Sequence, residues 1–412
     1  MTDKVKGLFS SKRTRISRTQ SLPSSLRANE WEERPHPKAG GGHFIQHDNV
    51  SHHPLGAGSY IFRDKLIQHI NLLCTKSRII LHIGAQPNSS PHMGTIINFT
   101  VAFFLASKLQ QEHGRSVLIS LDVVDTAPSE QLTINGVRYQ RSQRFTREMD
   151  KYMIDFIDIL ESLKNRTGVE YRTRTQAEFL GDPNIHTALY QIIRNRKVLG
   201  PSFSPETGNL AIRAACPHVN CGLADKGGIG NVYSFLDDHD DESTIKFQCP
   251  EHGPYTLNLS DPQDIQKLEF NTPLRNILRA KVFARDPDAS WIRVTGADYA
   301  GYYQEQLLWR YIASEEAPLI FYTPLIVDWS GAKLSKSLYV KSGAYGYLED
   351  MEMDYLVSYM AFKKQGKSLE VIFDEVRDWV EHPYRLFRSY SIAYVDSLFK
   401  GDKPLQGQIG MT

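Results

Sequence analysis

The sequence predicts an α/β protein: a parallel sheet wrapped by helices, interrupted by a small ribbon with metal-ligand spacing and closed by a helical appendix. Three observations predict it. Short apolar runs of strand length alternate with longer helical patterns, first from Tyr60 to about residue 200 and again from about 290 to 330. Three of the four cysteines fall in two knuckles between those halves. From about residue 350 to 400 the patterns are helical alone.

Composition narrows the class. The chain has 412 residues, enough for a catalytic domain of about 250–300 residues with appendages. Lys and Arg number 48 against 47 Asp and Glu, so no global field marks a nucleic-acid binder, and basic patches remain the only route to one. Hydrophobic content of 41% with 11% aromatics fits a globular protein. There is no run of 18 apolar residues, so no membrane span is expected. The first residues are basic and polar without an apolar segment, which argues against a secretory signal. Four cysteines are too few for a disulfide scaffold in a chain this long. The expected location is cytoplasmic.

The elements follow in order. Residues 1–58 carry scattered Lys and Arg, then "RPHPKAGGGH" and "PLGAG", and predict a disordered basic tail, either solvated or touching RNA phosphates. Residues 59–210 form the first half of the catalytic domain. "FRDKLIQHINLLC" has helical spacing, "RIILHIG" (78–84) is a buried strand, and "TIINFTVAFFLASKLQQEHG" is a helix closed by Gly114. "SVLISLDVVD" (116–125) is a second buried strand. The charged stretch 137–165 reads as helical, followed by "VEYRTRT" and a helix around 185–198. Residues 211–258 are the insertion. Residues 259–345 resume the domain with strand "WIRVTGAD", helix "YYQEQLLWRYIA" (302–313) and strand-like "PLIFYTPLIVDW". Residues 346–412 form the appendix. Strands alternating with helices imply right-handed crossovers and a Rossmann-type parallel sheet.

Two stretches carry chemistry. "PNSSPHMGT" sits where the first strand gives way to a helix, the place where open parallel sheets bind ligands. His92 can donate to phosphate oxygens, and Gly94 removes a side chain where a base would pack. By itself such a turn is most often only a turn. About 240 residues later, "DWSGAKLSKSLYV" holds Lys333 and Lys336 with Ser335 and Ser337 in a Gly-flanked loop. Two lysines there suit a triphosphate whose charge moves onto a leaving pyrophosphate.

Together these stretches resemble the class I aminoacyl-tRNA synthetases. The family's HIGH motif corresponds to His92-Met93-Gly94-Thr95, with Thr at the last position, and its KMSKS motif to Lys333-Leu334-Ser335-Lys336-Ser337. "VTGAD" resembles the strand end that places Gly296 and Asp298 beside the ATP ribose. The resemblance spans about 60–395, and in layout it is nearest the class I lysyl type, with a ribbon insertion and Lys267-Leu268 after it. It implies ATP with Mg2+ as cofactor, and tRNA or aminoacyl-tRNA and amino acids as partners. His92, Lys333 and Lys336 are then catalytic. Pro87, Asn88, Gly94, Thr95, Gly296, Asp298, Ser335 and Ser337 hold the nucleotide or the tRNA 3′ end. Asp122 and Asp125 end a buried strand and are expected to read a cationic amino acid, arginine or lysine, unless they cap the next turn. Tyr299, Tyr303 and Glu305 line the same pocket.

"CPHVNC" and "CPEHG" pair Cys216 with Cys221 and Cys249 with His252, 27 residues separating the halves. Two such knuckles build a tetrahedral Cys3His zinc site, structural because no position stays open. His218 is a rival fourth ligand, and ordinary buried cysteines are the alternative. Cys74 stands apart as a core residue.

About 70 residues follow the lysine loop, too few for the large helical tRNA-reading domain of the lysyl type. Three classes follow: an amino acid:tRNA or adenylate-forming ligase without an anticodon domain, a synthetase core diverted to biosynthesis, and a non-catalytic RNA-binding or regulatory relative. By size and synthetase-like logic the chain is also similar to the fungal arginine-containing cyclodipeptide synthases. The preferred expectation is an aminoacyl transferase that forms a peptide bond or cyclodipeptide from arginyl-tRNA and a second aminoacyl-tRNA.

Overall fold

The computed structural model describes residues 53–54, 65–236, 239–301, 317–334 and 345–401. Of the expectations above, the basic tail apart from His53 and Pro54, the 302–313 helix with Tyr303 and Glu305, and Ser335, Lys336 and Ser337 lie outside the described residues.

Helix α1 (Leu66–Leu73) leads to strand β1 (Arg78–Ala85), helix α2 (Met93–His113) and strand β2 (Ser116–Val123). Strands β3 (Pro128–Ile134) and β4 (Val137–Ser142) form an antiparallel hairpin. Helix α3 (Asp150–Thr167), strand β5 (Tyr171–Thr175) and helix α4 (Ile185–Arg194) complete the first half. Here the structure differs from the sequence reading, which extended one helix from 137 to 165. The signal for the hairpin is "INGV": Asn135 and Gly136 both adopt positive φ, 49° and 78°, as a two-residue type I′ turn requires.

The insertion is an antiparallel sheet of β6 (Val232–Leu236), β7 (His239–Cys249) and β8 (Gly253–Asn258). Helix α5 (Thr272–Ala284) then leads into β9 (Ala289–Gly296), and β10 (Leu319–Thr323) follows. Asn271 caps α5, its side chain accepting the Leu274 N–H at 3.0 Å.

The central sheet has the order β10-β9-β1-β2-β5, with every neighbour parallel. The chain starts at the centre, moves outward through β2 and β5, then returns to the other side of β1 with β9 and β10. This is a Rossmann-type sheet, and its topological switch lies between β1 and β9. Ligands of such sheets bind beyond the carboxyl ends of the two strands flanking the switch. One face, with Ile79, Leu81, Ile83 and Val294, packs under α2 and α3. The other, with Ile80, Ala289 and Trp291, packs under α4 and α5.

The C-terminal helices join the first of these cores. Leu348, Tyr355, Phe362 and Trp379 share it with α2, and helix α6 (Leu369–Glu381) contributes Phe373 and Val376. Within this segment the strand Arg388–Ser391 pairs with Ile326–Val327 and with His53–Pro54. Among the described residues no helix is long and apolar enough to cross a membrane.

Candidate functional site

The cavity lies where the topology requires it. About 560 Å³ is enclosed by the turn after β1, the start of α2, the end of β9 and one flank of α5. Asn88, His92 and Thr95 line it from the β1 side, Tyr299 and Lys333 from the β9 side. Residues 241 positions apart thus face one space because β1 and β9 are parallel neighbours whose carboxyl ends open together.

Two close approaches shape its rim. His92 is the N-cap of α2, and a Cβ on Gly94 would meet the His92 Cε1 at 2.9 Å and Nδ1 at 3.1 Å. Glycine is what lets the imidazole fold over the helix start. Likewise a Cβ on Gly296 would meet the Asp298 carboxylate at 2.5 Å. Lys333 Nζ pairs with Asp298 at 2.5 Å and lies 5.6 Å from the Tyr299 ring, so the lysine loop and the β9 end meet directly. Pro87 is buried behind the turn.

Asp122 and Asp125 are a correction to the sequence reading. Neither lines the cavity. Asp122 is fully buried, with Arg174 Nε at 3.0 Å, Arg279 Nε at 2.9 Å and His82 Nε2 at 3.1 Å. Burial alone would raise its carboxyl, but Arg279, His82 and Arg174 outweigh it and hold the group well below the usual carboxylate range. Asp125 pairs with Arg144 at 2.8 Å and accepts the Gln176 N–H, just past the end of β5, at 3.2 Å. Carboxylates saturated by the chain's own cations have nothing left to offer a cationic substrate.

The sequence reading missed the residues that do form the floor: Arg275, Arg279 and Arg293. The signal was present. Arg275 and Arg279 stand four apart on a helix face that is otherwise buried and apolar, and Arg293 follows Trp291 two residues on, on the same face of β9. Burial lowers the Arg279 guanidinium to about 9, with Asp122 pulling the other way and Arg275, Arg293 and Arg174 adding to the fall. Burial likewise lowers His82 to about 4, so it is neutral at pH 7.

The second site is the Cys3His cluster. Donor atoms of Cys216, Cys221, Cys249 and His252 all lie within 4.8 Å of one another. His252 Nδ1 is 3.7 Å from Cys216 Sγ and 3.6 Å from Cys249 Sγ, and the Cys221 and Cys249 sulfurs are 3.7 Å apart. A zinc tetrahedron with bonds of about 2.3 Å to sulfur and 2.0 Å to nitrogen requires edges of about 3.5–3.8 Å, so the donor set can hold that ion. His218 is no rival: its ring stacks on His252 at 3.8 Å. Burial pushes the Cys221 thiol up to about 12, a cost that thiolate coordination to a cation removes. Cys74 is buried in the α2 core, its thiol pushed up to about 11 by burial, as befits a packing residue.

No family model and no curated protein matches the chain. Among solved structures it is similar to a glutamate tRNA ligase from Elizabethkingia meningosepticum, with 14% identity, a TM-score of 0.31, and 65% of this chain covered. A glutamate-tRNA synthetase from Elizabethkingia anophelis gives 13% identity, a TM-score of 0.30 and the same 65%. The chain spans about half the length of these two, 53% and 54%. A Campylobacter jejuni protein assigned as an arginyl-tRNA synthetase gives 9% identity and a TM-score of 0.28, over 84% of this chain and 87% of its own. At such scores these likenesses carry no functional argument, which rests on the residues themselves.

Proposed function

We propose that the chain performs aminoacyl-group chemistry of the class I aminoacyl-tRNA synthetase kind at the β1/β9 cavity. The observation that carries this reading is the meeting of His92 and Thr95, at the start of α2, with Lys333 around one cavity at the topological switch. In this reading His92, Lys333 and Lys336 hold phosphate charge, or the tRNA 3′ end, as negative charge moves to the leaving group. Gly94, Gly296 and Asp298 shape the adenosine side, and Ser335 and Ser337 belong to the same loop. ATP with Mg2+ and tRNA are the substrates this chemistry implies. A structural zinc ion held by Cys216, Cys221, Cys249 and His252 pins the insertion.

Within that chemistry we favour a tRNA-fed transferase that forms an amide or cyclodipeptide over an ATP-driven ligase. The supporting observation is that the C-terminal helices bury Tyr355, Phe362 and Trp379 in the α2 core, so that this segment packs as part of the cavity-bearing domain. Two measurements separate the readings. A ligase exchanges pyrophosphate into ATP when given its amino acid alone. A tRNA-fed enzyme stops making product when ribonuclease removes the charged tRNA, even with ATP present. His92→Ala and Lys333→Ala are each expected to cut turnover by about 10²–10³ with the fold intact, and wild-type turnover in both would overturn the proposal.

A further inference from the structure

On β1 the residue after Ile80 on the same sheet face is His82, 2% exposed. It lines the cavity, and so does Gly84, two residues nearer the carboxyl end. Among the described residues a Cβ on Gly84 would meet only the Asp122 carbonyl oxygen, at 3.9 Å, so the strand leaves open space directly beyond the imidazole. The ring lies against Phe283, centroids 5.2 Å apart, and its Nε2 is 3.1 Å from the Asp122 carboxylate. Nδ1 is buried, and no hydrogen-bond partner among the described residues reaches it.

The neighbouring charges decide the tautomer. Arg174 and Arg279, at 3.0 and 2.9 Å, keep Asp122 ionised. A lone pair on Nε2 would face that negative oxygen, so a neutral imidazole carries its proton on Nε2 and its lone pair on Nδ1. Burial, with Arg279 and Arg293 close by, keeps the ring neutral at pH 7. A buried acceptor without a donor is costly. Two guanidiniums already serve Asp122, so the imidazole is not needed to satisfy it, and an apolar ring would pack on Phe283 without stranding an acceptor.

We infer that His82 is a substrate-binding residue whose Nδ1 accepts a hydrogen bond from the side chain of the amino acid taken at this cavity, so that this side chain carries a hydroxyl or an N–H. The inference rests on the aminoacyl reading above and names a substrate feature of the same site. His92 and Lys333 approach from the turn after β1 and from the lysine loop, where they serve phosphate, while His82 lies within the strand, on the floor beneath them. An ionised carboxylate or phosphate brings only lone pairs and has nothing to give Nδ1. A site built to receive an O–H or N–H rejects the isostere that lacks it, because the buried acceptor is then left stranded.

The experiment compares, on the full chain, amino acids that differ by a donor: tyrosine with phenylalanine, serine with alanine, threonine with valine, glutamine with glutamate, and lysine and arginine with norleucine. Binding is read by calorimetry, and incorporation into product is measured for the same set. The accepted amino acid is expected to be a donor-bearing member, preferred by about tenfold or more over its partner. His82→Phe is expected to erase most of that preference, acting on KM more than on kcat. In protein labelled with 15N-histidine, the His82 signals, assigned by their loss in His82→Phe, are expected to show a proton on Nε2 alone at pH 7 and a shift at Nδ1 when the accepted amino acid binds. The wild-type panel decides the matter even if the variant fails to fold. Acceptance of an aliphatic or acidic member as readily as a donor-bearing one, a preference that survives His82→Phe, or an Nδ1 signal unmoved by saturating amino acid overturns the inference and leaves the aminoacyl reading standing. An absence of any amino-acid binding or incorporation overturns both.

Discussion

Ser90 Oγ donates to the Asp155 carboxylate at 2.7 Å across 65 residues of sequence, and both side chains are buried. The same hydroxyl accepts the Met360 N–H at 3.0 Å, and Lys363 reaches Asp155 at 2.8 Å. One residue on, the Pro91 carbonyl accepts the Tyr359 N–H at 2.8 Å. The turn that presents His92 is thus tied to α3 and to the C-terminal helices at once. The C-terminal segment braces the turn that carries His92.

Breaking that tie affects both stability and turnover. Asp155→Asn leaves Ser90 and Lys363 with a poorer partner, at a cost of about 1–3 kcal/mol for a buried charged hydrogen bond. Thermal melts should show a drop of several degrees, and turnover should fall as the His92 turn loosens. Glu112→Gln is the control, since Glu112 is 47% exposed and pairs only loosely, with Lys108 at 3.9 Å. Equal behaviour of the two variants would refute the brace.

Zinc content follows the donor geometry. Elemental analysis of the purified protein should give about one zinc per chain. Cys221→Ser, Cys249→Ser and His252→Ala should each lose the metal and destabilise the fold by several kcal/mol, because binding free energy of a structural zinc is folding free energy. His218→Ala should keep the metal, since its ring stacks on His252. Retention of zinc in Cys221→Ser would remove the assignment.

Gly94→Ala should separate stability from activity. Gly94 lies in the first turn of α2, where alanine is the better helix former by up to about 1 kcal/mol. Yet the new Cβ would press on the His92 ring, 2.9 Å away, and move it. The expected outcome is an unchanged or raised melting temperature with turnover reduced by about 10²-fold. A fully active variant would mean that the position of the His92 ring is immaterial.

Acid should weaken the fold through His82. Burial lowers its pKa to about 4 from an ordinary 6.5, with Asp122 opposing and Arg279 and Arg293 adding to the fall. Between those values the unfolded chain binds a proton that the folded one does not, so stability rises with pH there and falls on acidification. The loss begins below about pH 6.5, ends near 4, and amounts to at most about 3 kcal/mol. Asp122, held low in the folded state, adds a further loss below the unfolded carboxylate pKa near 3.8. Denaturant titrations at pH 7, 5.5 and 4.5 should show the slope, and His82→Asn should flatten it between 6.5 and 4.

The short-range features were legible in the sequence. β1 appears as a run of apolar residues, α2 as a long helical stretch closed at Gly114 (though buried on most sides rather than amphipathic), and the knuckles as paired cysteines, because each depends on neighbours a few residues apart. The 128–142 hairpin was equally local, written in Asn135-Gly136, and was passed over for the helical charge pattern that follows it.

The chain by itself determined a parallel α/β sheet, the His92 and Lys333 motifs and a Cys3His donor set, since period and spacing are properties of the string. Only the tertiary structure decided which charges meet. Asp122 looked like a carboxylate waiting for a cationic ligand. Ladder register sets it opposite Arg174, and the packing of α5 lays Arg279 against it, so its charge is consumed inside the fold. The same packing turns Arg275 and Arg293 toward the cavity. Electrostatic complementarity depends on distances of about 3–4 Å between groups far apart in sequence, and those distances exist only once the strands are in register.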